Sequence, residues 1–121
     1  MHADPSAGTG SGVRAFRMTL YPGMKAEYQR RHEEIWPELV EALREAGVID
    51  YRIFLDDRDG SLFAVMRHRR PHGLDELPTL SVMRRWWHHM ADIMYTEADE
   101  SPSSSPLDEV FALSGSAPAC R

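Results

Sequence analysis

The order in which hydrophobic periodicity changes along this 121-residue chain leaves few folds open to it. Phe16, Met18 and Leu20 alternate with period two and share one face of a first strand, which Tyr21-Pro22-Gly23 turns. From Met24 to Ala46 the apolar residues recur at helical spacing, predicting one helix that bends near Pro37 and stops at Gly47. Val48 to Leu55 returns to period two, with Ile49, Tyr51, Ile53 and Leu55 on a common face. The turn Asp56-Asp57-Arg58-Asp59-Gly60 leads into a third strand through Leu62 to Met66. Beyond Pro71-His72-Gly73, the residues Leu80, Met83, Trp87, Met90 and Met94 step by threes and fours, with Trp86 near the same stripe, predicting a second helix. An acidic, Ser- and Pro-rich crossing from Tyr95 to Asp108 precedes a short last strand, Val110 to Leu113.

Strand, helix, strand, strand, helix, strand, with both helices on one face of an antiparallel sheet, is the α+β, ferredoxin-like βαββαβ arrangement. Residues 1–12 and 114–121 are rich in Ala, Gly, Ser and Pro and read as disordered tails, leaving 13–113 as a single folded domain. An open four-stranded sheet leaves two edges and one face uncovered, which is a physical motive for a two-fold homodimer.

Nineteen acidic against 14 basic residues give a formal charge of −5, which argues against nucleic acid or an anionic membrane surface as a partner. The chain opens with no positive cluster followed by an apolar run, so neither a signal peptide nor a membrane anchor is expected. The single cysteine, Cys120, rules out an intrachain disulfide and suits a reducing, cytoplasmic setting. His88 and His89 adjoin on a helix and cannot face one metal, while His68 and His72 flank a loop, so no metal site is expected. There is no Gly-rich phosphate loop and no nucleophile elbow.

The segment that carries chemistry is Tyr28 to Leu39. Tyr28 and His32 lie one helical turn apart on the stripe that continues through Ile35 and Leu39, so an imidazole and a phenol point along the inward face. Such a pair suits proton transfer in a pocket, although a histidine on an apolar face is also a common core residue. Arg30, Arg31 and Glu33 read as solvent-facing, with Glu27 and Arg31 spaced to pair.

Three segments together resemble the L-rhamnose mutarotase family: Glu27-Tyr28-Gln29-Arg30-Arg31-His32 with Ile35-Trp36-Pro37-Glu38-Leu39, then Tyr51 ahead of Phe54-Leu55-Asp56, then Arg85-Trp86-Trp87. Ser101-Pro102 with Glu109-Val110-Phe111 is similar to the family's closing segment. The resemblance implies a dimeric α/β barrel of ferredoxin-like subunits that interconverts the α and β anomers of L-rhamnose without a cofactor. It implies His32 as proton donor and Tyr28, Tyr51, Trp86 and Trp87 as sugar contacts. Two stretches depart from the family pattern. Met94-Tyr95-Thr96-Glu97 stands where more Pro and Asn are expected, and Val65-Met66-Arg67-His68 is more basic than the family's third strand.

The chemistry is consistent with these residue types. Opening a pyranose requires a proton delivered to the ring oxygen and one removed from the anomeric hydroxyl, and closure on the other carbonyl face reverses both. A histidine, with an ordinary pKa of about 6.5, serves as the acid toward the ring oxygen. Tyr28 or Tyr51 supplies the second relay or a hydroxyl contact, and the two roles are interchangeable on sequence grounds. Trp86 and Trp87 differ by about 100° around a helix, so one lines the pocket while the other packs its rim or a dimer seam. Two other classes fit the same element order: a cofactor-independent monooxygenase of the same barrel architecture, and a non-catalytic module that binds a small ligand.

Overall fold

The computed structural model describes residues 10–113, and the tail expectations for 1–9 and 114–121 lie outside them. The elements run β1 (Ser11–Thr19), α1 (Lys25–Glu33), α2 (Pro37–Ala46), β2 (Val48–Asp56), β3 (Ser61–Arg69), a 3₁₀ turn (Leu74–Thr79), α3 (Ser81–Met90) and β4 (Ser105–Leu107). The sheet order is β2-β3-β1-β4, antiparallel throughout. This is the α+β, ferredoxin-like fold. Ser11 and Gly12, expected in the N-terminal tail, are instead the first residues of β1, opposite Arg69 and His68.

Period-two alternation sets the two faces of the sheet. Met18 of β1, Leu20 just beyond it, and Leu62 and Ala64 on β3 pack against Leu39 of α2 and Val82, Met83, Trp86 and Met90 of α3 in the main core. Met66, Leu74 and Leu77 form a smaller cluster where the 3₁₀ turn meets the sheet. Each buried side chain of this kind contributes roughly 1.5–3 kcal/mol by leaving water. Among the described residues no helix covers the opposite face, where Phe54 stands opposite Phe63, Arg52 opposite Val65, and Val65 opposite Ala15.

The β2–β3 turn is tied to the end of β1. Gly60 takes a φ of +80°, and a Cβ placed there would meet the Leu20 carbonyl oxygen at 2.6 Å, so only glycine fits. Its carbonyl in turn accepts the Leu20 N–H at 2.8 Å. Asp56 and Asp59 accept backbone N–H groups from Arg58 and Ser61, which is the turn chemistry their spacing predicts.

Four further expectations require correction. The helix from Met24 to Ala46 is two helices, because Trp36 is extended at φ −67°, ψ 131°, as a residue before proline prefers, and Pro37 then begins α2. Ile49 does not share the inward face: a bulge between Val48 and Asp50 turns it out, leaving it 48% exposed. On α3 it is Trp86 that is buried with Met83 and Met90, and Trp87 only packs partly against the core. The last strand is Ser105–Leu107 rather than Val110 to Leu113. Pro106 is tolerated there because the strand is short and at the sheet edge. Val110, Phe111 and Leu113 are 92%, 78% and 84% exposed.

Candidate active site

Between the helices and the sheet lies an open cleft of about 1270 Å³, larger than the roughly 300–1,000 Å³ of ordinary small-ligand pockets. Its walls bring together all five residues singled out in the sequence: Tyr28 and His32 from α1, Tyr51 from β2, and Trp86 and Trp87 from α3. Helical spacing places the first two on one wall, strand alternation turns Tyr51 inward opposite Met66 in the β3 register, and both tryptophans border the same space.

The geometry around His32 is specific. Its ring lies 4.4 Å from that of Tyr28 at an interplanar angle of 35°, and 5.4 Å from that of Trp86, nearly perpendicular at 84°. Trp86 is held on its other side by Trp36, 5.2 Å away and edge to face. Nδ1 of His32 lies 3.0 Å from the Tyr28 carbonyl oxygen and donates to it, since a carbonyl can only accept. The hydrogen bond therefore assigns the tautomer and leaves Nε2 as the nitrogen free for chemistry.

Burial sets the protonation states. It holds the His32 imidazole below its ordinary 6.5, outweighing the Tyr28 carbonyl, which favours the charged form. It raises the Tyr28 phenol, with a smaller push from nearby Tyr51, and moves the Tyr51 phenol up to about 12. At neutral pH the site thus holds a neutral imidazole and two protonated phenols. This set can accept a proton at one nitrogen and donate hydrogen bonds at two oxygens.

Sequence reasoning missed part of the lining. Lys25 and Gln29 also border the cleft, and the signal was present, since with Tyr28 and His32 they follow the three-and-four spacing of one helix face. Met18, Met83 and Met90 add apolar lining and read from sequence only as core. Glu27 pairs with Arg31 at 2.7 Å as its spacing suggests, but Arg31 is not solvent-facing: its side chain is only 11% exposed. Among the described residues no group of three or more His, Cys, Asp or Glu side chains is placed to hold a metal ion.

The family model described as L-rhamnose mutarotase matches residues 14–113, almost all of the described chain. This chain belongs to the L-rhamnose mutarotase family. It is 64% identical over 99 residues to the L-rhamnose mutarotase of Acidiphilium cryptum, an alignment covering 82% of this chain and 95% of that protein. The crystal structure of an L-rhamnose mutarotase from Formosa agariphila superposes with a TM-score of 0.79 at 39% identity, covering 85% of this chain and 99% of the other. A putative antibiotic biosynthesis monooxygenase from Chloroflexus aurantiacus is similar at a TM-score of 0.53 and 13% identity, covering 87% and 98% of the two chains. That likeness shows the fold alone.

Proposed function

We infer that this protein is an L-rhamnose mutarotase, an isomerase that interconverts the α and β anomers of L-rhamnose by general acid–base ring opening and closure. The observation that carries the reading is the convergence of His32, Tyr28, Tyr51, Trp86 and Trp87 on one cleft in a chain of this family. Neutral His32, with Nδ1 engaged, takes the anomeric hydroxyl proton on Nε2. The bond between the anomeric carbon and the ring oxygen breaks as the carbonyl forms, and the imidazolium delivers the same proton to the ring oxygen. Both oxygens are attached to one carbon, so a single nitrogen serves both. Rotation about the bond to the aldehyde carbon and reversal of these steps give the other anomer. Tyr28 and Tyr51, kept protonated by burial, donate hydrogen bonds to sugar oxygens. The indoles and the methionine lining suit the methyl group and C–H faces of a 6-deoxyhexose.

Magnetisation-transfer NMR on the two anomeric protons of L-rhamnose tests the reaction directly. Added protein is expected to raise the exchange rate in proportion to its concentration, with D-glucose much less affected. Exchange no faster than in buffer would sink the assignment and return attention to oxygen consumption with phenolic substrates. No cofactor is assigned to this chemistry, because proton transfer alone accomplishes it.

The working form is read as a homodimer in a cytoplasmic setting. Support comes from the uncovered sheet face, where Phe54 and Val13 are 57% and 53% exposed, and from the apolar run Val110-Phe111-Ala112-Leu113 projecting into solvent. Arg17, Arg52 and Arg67 border that face, and Asp108-Glu109 lead the projecting run, so a second copy offers matching charge. Phe54→Asp and Phe111→Asp are each expected to raise the dimer dissociation constant by at least about tenfold, a change of roughly 1.4 kcal/mol. Sedimentation checks this, and a wild-type monomer at micromolar concentration would overturn it. The described residues include no helix long and apolar enough to cross a membrane.

A further inference from the structure

We propose that Arg31 is a positioning residue for the mutarotase site, latching α1 to the end of α3 so that His32 stays in register with Trp86. The proposal rests on the functional reading above and concerns a residue that touches neither the sugar site nor its reacting atoms.

The need for a latch follows from α1 itself. This nine-residue helix carries Tyr28 and His32, yet fully buries none of its residues. Helices this short are marginal alone and are ordinarily fixed by an apolar stripe packed into the core. α1 gives the core only the partly buried Tyr28, and it also forms one wall of an open cleft. Such limited packing leaves a polar tie to set its distance from α3.

Arg31 supplies that tie. Its Nε donates to Glu27 Oε2 at 2.7 Å within α1. Its Nη1 donates to the His89 carbonyl at 2.6 Å and to Asp92 Oδ1 at 2.8 Å, and Nη2 reaches Asp92 Oδ2 at 3.3 Å. One guanidinium thus joins a carboxylate on its own helix to a carbonyl in the last turn of α3 and a carboxylate just beyond it. The Arg31 side chain is only 11% exposed, while its partner Asp92 is 70% exposed, which distinguishes it from the pair of Arg58 with Asp56, where the arginine is 90% exposed. A forked, charge-assisted set on a largely covered guanidinium fixes geometry better than a single exposed pair.

The latch and the chemistry share their backbone. Arg31 precedes His32, and His89 lies one turn beyond Trp86 with its ring 5.5 Å from that indole. Fixing Arg31 to His89 and Asp92 therefore fixes the two elements whose side chains meet as His32 and Trp86. A shift of about 1 Å in a reacting group can cost on the order of 10²-fold in rate, so a loosened wall is felt in catalysis before it is felt in folding. A lysine cannot replace the latch, because its single ammonium presents no planar fork.

The test compares full-length wild type with Arg31→Ala, Arg31→Lys and Asp92→Asn, with Arg58→Ala as a control for loss of an ion pair away from the site. Anomer exchange at saturating L-rhamnose, rhamnose Kd and the His32 imidazole NMR signal are read for each, alongside the folded fraction from circular dichroism. Arg31→Ala is expected to slow exchange by about 10-fold or more, to change Kd by less, and to broaden or shift the His32 signal; lysine restores little of the rate. Asp92→Asn, which keeps the fold of the acceptor, moves the same readouts in the same direction. Arg58→Ala leaves all of them as in wild type. The proposal is overturned if Arg31→Ala and Asp92→Asn keep the wild-type rate and His32 signal, or if the lost rate merely tracks the lost folded fraction. Should wild type itself fail to exchange anomers, the functional reading falls, while the His32 signal still decides whether the latch exists.

Discussion

Replacing His32 with alanine is expected to slow L-rhamnose anomer exchange by about 10² to 10⁴ while the protein stays folded and still binds the sugar. The size follows from general acid–base catalysis by one positioned group, in a reaction that water already performs slowly. The fold survives because the ring is only partly buried, and its one hydrogen bond goes to the backbone of its own helix. His32→Gln keeps a polar side chain but no titratable nitrogen, so it should be as slow as alanine. Equal exchange rates in wild type and both variants would remove His32 from the mechanism.

The same residue sets the pH response. Since burial lowers its folded pKa below the ordinary 6.5, the neutral, proton-accepting form persists below that pH. The exchange rate should hold steady down through pH 6.5 and fall only as pH drops through the lower folded value. Stability follows the same sign. A histidine kept neutral by burial contributes stability fully present above about 6.5 and lost as pH falls through its folded pKa, where the unfolded chain binds more protons. His32→Gln abolishes that portion of the acid loss, which urea unfolding at a series of pH values would reveal.

Trp86→Ala is expected to cost roughly 3–5 kcal/mol of folding stability, the range for deleting a large buried aromatic. Trp86 is 7% exposed, belongs to the main core, and contacts His32, Trp36 and His89 within 5.2–5.5 Å between ring centroids. Against a total of about 5–15 kcal/mol for a domain, that loss threatens the folded state itself. Trp86→Phe refills most of the volume and should recover most of the stability, while lacking the indole N–H. Denaturant midpoints for the two variants separate packing from sugar contact. An alanine variant as stable as wild type would show that Trp86 is not a core residue.

The candidate site was legible because its residues obey local rules. Four-residue spacing aligned Tyr28 with His32 and alternation turned Tyr51 inward, whereas Trp86 and Trp87, of which only one was expected to line the pocket, both border it. The helix break was also written locally, in an extended residue before Pro37, but the apolar spacing runs through it and conceals it. The Ile49 bulge has no local signature, since strict alternation reads the same with or without an inserted residue. β4 was hidden because Ser105-Pro106-Leu107 looks like a loop until β1 offers it an edge, whereas the apolar run at Val110 invites a strand that no described neighbour pairs with. Arg31 was misread for a related reason: its partner Glu27 lies four residues away, but Asp92 arrives from the far side of the fold.

The strand order β2-β3-β1-β4 also has a consequence for how the chain is made. β1 is synthesised before the other three strands but occupies an interior position, with Ala15 paired to Val65 on one side and to Leu107 on the other. It must wait unpaired until β3 is synthesised, and it gains its second neighbour only when β4 has appeared, some 86 residues after its own end. Pairings this distant in sequence slow folding and prolong exposure of an apolar strand. The newborn chain is therefore most exposed to aggregation during the interval before β3 appears, and β1 is the segment a chaperone has most reason to shield.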